Sequence, residues 1–349
     1  MLKRILGVLL GGLLWVATPA YSSIANDTSP LGMNLTSPLR YAMDLPYINE
    51  MKRAEVITQS SSAWSTGELD RLAYDNNGWP QSLAAEDGGS VNLERVSYLL
   101  FGGDYTEWKV PAPEGCVFTV MYEGEGTLVY SGGAQLTGSC GTGCDLVQMT
   151  PANGIVIISI VATDPNDTGD HLRNIQVLHP GGICNGDAYQ WFADDTSCPG
   201  SFSSLVSLRD SHIFHPDYLA SLKHYRSLRF MNSTFTNHLP IPSWSGQAEM
   251  LAMPLREWAD RPKEADSVWS SEDKGGLPIE IMVELANELD IAPWFTMPVY
   301  ASEGYLTGFA QQVKQELRSD QIVYIEFGNE IWNGSFGTGT WVHYQANEF

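Results

Sequence analysis

The hydrophobic period of this chain changes twice along its length, and any fold must accommodate both changes. Residues 60–180 hold short alternating apolar runs, such as Cys116–Tyr122, Gly126–Tyr130 and Gly154–Val161, separated by Gly, Asn, Asp and Pro. Side chains of a strand point alternately to opposite faces, so this spacing predicts an antiparallel β-sandwich. From about residue 213 the pattern becomes helix, strand, helix, strand. Helices are expected at Pro216–Tyr225, at Pro278–Leu289 with Ile279, Met282, Val283 and Ala286 on one face, and at Gly304–Leu317. Strands are expected at Ser227–Met231, Ala292–Pro298 and Gln321–Gly328. Near-continuous apolar strands alternating with helices imply a parallel sheet covered by helices. Upstream, Leu31–Thr36 reads as a short buried strand, and Leu45, Ile48 and Met51 give Leu45–Ala54 helical spacing.

Joining the two flanks gives an α/β fold: a partial TIM-type (β/α)8 barrel of about four strands, interrupted by an inserted antiparallel β-sandwich. Residues 26–59 would supply the first strand and helix, 60–180 the sandwich, and 181–349 strands two to four with a long Trp-rich loop. A full barrel needs about 250 residues without insertions. On this count the chain reads as C-terminally truncated, unless the fold is something else.

Residues 1–25 read as a signal peptide: Lys3 and Arg4, an apolar run from Ile5 to Val16, then small residues at Thr18–Ala20 or Ser23–Ala25 for cleavage. That run is too short to cross a bilayer comfortably, and no later stretch has spanning length, so a secreted or periplasmic protein without a membrane span is expected. The net charge of −22, from 41 acidic and 19 basic residues, repels phosphate backbones and argues against nucleic acid as a partner. Export makes disulfides plausible among the five cysteines, with Cys140–Cys144 and Cys184–Cys198 as the local pairs and Cys116 left single. Neither the cysteines nor the histidines have metal-ligand spacing, and no cofactor motif appears. Asp164, Asp167 and Asp170 read as a surface turn rather than a calcium loop.

The chemistry concentrates in Ile322–Asn333, an apolar run ending in Asn329-Glu330 with Trp332 close behind. Alternation places Tyr324, Glu326, Gly328 and Glu330 on one face and Val323, Ile325, Phe327 and Asn329 on the other. Glu330 would then emerge at the carboxyl end of the strand, where barrel enzymes work. A glycosidase needs such an acid because an unprotonated alkoxide leaves poorly. Asn329 can bind a sugar hydroxyl and Trp332 can stack on a ring. The plainer alternative is that Asn329-Glu330 opens the next helix.

Glu326-Phe-Gly-Asn329-Glu330 resembles the fourth-strand signature of clan A glycoside hydrolases. Further stretches resemble a group of exported bacterial proteins, often labelled cellulose-binding, with a glycosidase-like barrel and a β-rich insertion. They are Asp75–Pro80, Thr163–Pro165, Arg173–Ile175, Leu228–Met231, Trp258–Pro262, Gly276–Glu280, Pro293–Phe295 and Val323–Asn333. The resemblance implies Glu330 as acid/base and Asn329 as the ligand of a sugar 2-hydroxyl. Arg229 would hold an active-site carboxylate, or else form a structural ion pair with Glu326. Trp294, and Trp244 in the loop 234–275, are further candidates to contact substrate, against packing roles for such tryptophans. Asn232 and Val299 depart from the group, which carries Asp and His there. In clan A the nucleophile sits on a seventh strand, which this chain does not reach, so the chain as it stands is expected to be inactive as a retaining hydrolase. The expectation is thus a secreted glycoside-hydrolase-like protein acting on a polysaccharide or oligosaccharide, or a non-catalytic carbohydrate-binding protein on the same fold.

Overall fold

The computed structural model describes residues 29, 31–42, 44–101, 116–150 and 155–348; the expected signal peptide lies outside the described residues. The first strand is β1 (Gly32–Asn34), shorter than the expected 31–36. Residues 45–54 do not form the expected α-helix. Tyr47 and Asn49 make isolated bridges to Phe214 and Leu178, and only Glu50–Arg53 coils, as one 3-10 turn. The spacing of Ile48 and Met51 by three fits that tighter turn, and the Asn49 side chain caps it by accepting from the Met51 N–H.

The antiparallel portion begins before residue 60. Its strands are β2 (Glu55–Gln59), β3 (Leu72–Tyr74), β4 (Pro80–Ala85), β5 (Arg95–Phe101), β6 (Cys116–Glu123), β7 (Gly126–Gly132), β8 (Ala134–Gly141), β9 (Cys144–Met149), β10 (Val156–Thr163) and β11 (Arg173–Leu178). Two four-stranded sheets, ordered β2-β5-β10-β7 and β11-β6-β9-β8, enclose one core, and β3-β4 form a separate hairpin. Alternation supplies that core: Val96, Tyr98 and Leu100 meet Phe118, Val120, Val147 and Met149 from the other sheet. On the outer side of β5, buried Ser97 bonds Gln59 at 2.6 Å and Ser159 at 2.8 Å, which satisfies polar groups that burial would otherwise penalise.

A small sheet follows, of β12 (Gly182–Cys184), β13 (Trp191–Phe192) and β14 (Phe202–Ser204), with the one-turn helix α1 (Leu205–Leu208) after it. The Cys184–Cys198 disulfide closes its loop, and Cys140–Cys144 staples the β8–β9 turn. Loop-closure entropy grows with the length enclosed. With a sequence separation of 14 against 4, changing both Cys184 and Cys198 to Ser is expected to cost about 3 kcal/mol in denaturant unfolding, against about 2 kcal/mol for the Cys140–Cys144 pair. Equal losses would contradict this.

The remaining elements are α2 (Pro216–Leu222), β15 (Ser227–Arg229), α3 (Gln247–Ala252), α4 (Ile279–Leu289), β16 (Ala292–Met297), α5 (Glu303–Glu316), β17 (Tyr324–Phe327) and α6 (Gly337–Glu348). β1, β15, β16 and β17 pair in that order as a parallel sheet. Leu228, Phe230 and Phe295 pack beneath it against Met282, Val283 and Ala286 of α4 and Tyr305, Phe309 and Val313 of α5.

The expected α/β fold built on a partial (β/α)8 barrel is overturned. The chain is mostly β, with sheets of four, four, four, three and two strands among the described residues, and only one sheet is parallel. That sheet is open, with β1 and β17 as its edges. The apolar run of β17 implied burial on both faces, yet Ile325 is 59% and Phe327 53% exposed.

Candidate functional site at the carboxyl ends of the parallel strands

Parallel register sets one face of this sheet. Arg229 aligns with Trp294, Trp294 with Tyr324, and Thr296 with Glu326. Residues two apart share a face, so Arg229, Trp294, Thr296, Tyr324 and Glu326 converge on the side away from α4 and α5. Glu326 is held closely there. Its carboxylate accepts from Arg229 Nε at 2.9 Å and from Nη2 at 2.7 and 2.8 Å, from Thr296 Oγ1 at 3.1 Å and from Trp294 Nε1 at 3.1 Å. The guanidinium lies 5.3 Å from the centre of the Trp294 ring. Of the two expectations for Arg229, the geometry gives the ion pair with Glu326.

The strand ends at Phe327, and alternation ends with it. Gly328 takes φ +63°, where a Cβ would lie 2.5 Å from both Val299 Cγ1 and Ile331 Cγ2, so no larger residue fits. This turn corrects the expected facing. Asn329 swings onto the Arg229 side, accepting from Nη2 at 2.9 Å and donating to Asn237 Oδ1 at 3.3 Å, and is only 6% exposed. Glu330 does not continue the Glu326 face. It sits at φ +46°, a conformation that non-glycine residues adopt at a cost. Its side chain is exposed and accepts from Asn333 Nδ2 at 3.1 Å, while the Asn333 N–H closes the turn onto the Glu330 carbonyl at 2.7 Å. The residues after Glu330 form this turn, and α6 begins only at Gly337, so Asn329-Glu330 is not a helix cap.

Trp332 is 79% exposed beside Glu330 in sequence, and Trp294 is 36% exposed. Trp244 is 85% exposed on the loop after Pro242, and among the described residues no hydrogen bond or ring contact joins it to Arg229, Asn329 or Glu330. Two participants were not singled out from sequence. Thr296 lies two residues after Trp294, and strand alternation alone would have found it. Asn237 lies in irregular backbone, where no periodic signal exists. It also lines a cavity of about 390 Å³ with His238, Pro240, Ser243 and Asp273. His238 there stands 2.9 Å from Asp273 and 3.3 Å from Glu272.

Elsewhere, the Asp164 carboxylate closes its own turn by accepting from the Thr168 and Gly169 N–H groups, and among the described residues no group of three His, Cys, Asp or Glu is placed to hold a metal. No helix among them is long and apolar enough to cross a membrane. No protein-family model, curated protein or solved structure matches this chain.

Proposed function

We propose that this protein acts on a polysaccharide or oligosaccharide at the carboxyl ends of β15–β17, with Glu330 as the general acid/base of glycosidic cleavage and the nucleophilic carboxyl absent from this edge among the described residues. One observation carries the reading: Asn329, fixed by Arg229, is followed at once by a strained, solvent-facing Glu330 with an exposed Trp332 two residues on. A fixed amide suits a sugar hydroxyl, a projecting carboxyl suits a glycosidic oxygen, and an exposed indole suits the apolar face of a sugar ring. The two disulfides support a site of action outside the cytoplasm.

Glycan binding without cleavage is the second reading, and the saturation of Glu326 favours it. Retaining hydrolysis uses two carboxyls about 5–5.5 Å apart. Of the two that β17 and its turn present, Glu326 is already neutralised by Arg229.

The test is a panel of plant, algal and microbial polysaccharides, scored for retention of the protein and for release of reducing ends. Retention is expected on at least one, weakened about tenfold by Trp332→Ala, in keeping with the loss of one aromatic contact at a binding site. Release of reducing ends supports cleavage, and retention without release supports binding alone. No retention on any member, or retention indifferent to Trp332→Ala, would overturn the assignment of this edge.

A further inference from the structure

A second cavity, of about 320 Å³, shares no residue with the site around Glu330. It forms where the 3-10 turn, the loop before β4, the end of β6, the start of β11 and the segment after α1 meet. We propose that this cavity binds a neutral polyhydroxylated ligand, a sugar unit of a glycan chain, through the side-chain amides of Asn77, Asn174 and Gln176.

The charged groups on the wall are already occupied. Lys52 donates to the carbonyls of Glu264 at 2.9 Å and Asp266 at 2.7 Å and lies 4.8 Å from the centre of the Trp269 ring. Burial pushes its ammonium down to about 8, the nearby carboxylates acting the other way. Arg209 donates to the Val206 carbonyl at 3.0 Å and faces Asp210 at 3.4 Å, and Glu123 faces Arg173 at 3.6 Å. An ionic ligand would have to break these pairings.

The amides are free by contrast. Among the described residues no hydrogen bond engages the side chains of Asn77, Asn174 or Gln176. Each carboxamide offers a donor and an acceptor side by side, which matches hydroxyl groups that both give and take hydrogen bonds. Trp79 on the same wall is 2% exposed, and its Nε1–H has no partner. Tyr122 adds a half-buried ring as an apolar surface.

The backbone is specialised at the same point. The register between β11 and β6 shifts between Arg173 and Gln176, and Asn174 there holds φ +51°. Bulges re-aim side chains beside binding sites, and left-handed Asn is tolerated where most residues are not. The volume falls within the range of about 300–1,000 Å³ typical of small-ligand sites.

The experiment uses calorimetry with cellohexaose and xylohexaose on full-length protein carrying Asn329→Ala, Glu330→Gln and Trp332→Ala, which removes the amide, the carboxyl and the ring of the edge site together. Residual binding of one hexasaccharide is expected. Adding Asn174→Gly and Gln176→Ala is expected to weaken it by about tenfold or more, the scale of losing two ligand hydrogen bonds. Glycine suits the left-handed backbone at 174, so the melting temperature should hold and loss of binding would not reflect unfolding. The proposal is overturned if neither hexasaccharide binds the edge-silenced protein, if binding survives loss of the amides, or if hexagalacturonate binds more tightly than both neutral probes. Failure of the edge reading is seen separately, as unchanged binding when Trp332→Ala is made alone.

Discussion

Glu330→Gln is expected to lower the rate of polysaccharide cleavage by about 10²–10⁴-fold, the usual contribution of a positioned general acid, while retention on the same polysaccharide changes little. The amide keeps the shape of the side chain and its place beside Asn333 Nδ2, but it has no proton to give to a leaving oxygen. Activity surviving within about tenfold would remove Glu330 from the chemistry. Glu326→Gln should behave differently. It strips the counter-charge from Arg229 and weakens the anchor that holds Asn329, so binding, cleavage and melting temperature should fall together. Glu330→Gly sharpens the distinction. Glycine adopts φ +46° freely, so relief of backbone strain offsets its entropic cost, and stability should stay within about 1 kcal/mol of wild type while cleavage is lost.

The individual strands were legible in the sequence because period two is a local property. The helix Glu303–Glu316 and the strand Ala292–Met297 fall within a residue of their expected bounds. The sheet they build was not legible in the same way. An apolar run such as Ile322–Phe327 implies burial, but the burial depends on neighbours distant in sequence, and here the edge position leaves Ile325 and Phe327 exposed. At the site, Arg229 and Glu326 could be paired from alternation and charge. The inversion at Asn329 could not be foreseen, because it depends on the left-handed turn at Gly328. A glycine at the end of a strand can serve a close approach or a bend, and here the structure uses it for the bend.

Glu50→Gln is expected to destabilise the fold by about 3–5 kcal/mol, because it leaves a buried guanidinium without its counter-charge. Glu50 and Arg53 are both 0% exposed where the 3-10 turn meets β11 and the start of α2. Glu50 Oε2 faces Arg53 Nε at 3.2 Å, and Oε1 lies 2.6 Å from His179 Nε2. The Arg53 fork in turn donates to the carbonyls of Asp44, Arg40 and Ala42, tying the segment after β1 to the sandwich. Well-packed apolar replacement of a buried pair is often tolerated, so Glu50→Leu with Arg53→Met should lose less than the two single changes combined. The same cluster sets an acid limit. Burial, and then the charge of neighbouring His179, push His215 down to about 3. Its folded pKa lies below its unfolded one, so the unfolded chain binds the extra proton between the ordinary histidine range near 6.5 and about 3. Stability should therefore fall as pH drops through that window. His215→Asn keeps a side-chain cap for the Asp217 N–H and should flatten this part of the profile. Denaturant unfolding at several pH values measures both effects, and a Glu50→Gln variant within about 1 kcal/mol of wild type would show that the buried pair does not join the two parts of the molecule as argued.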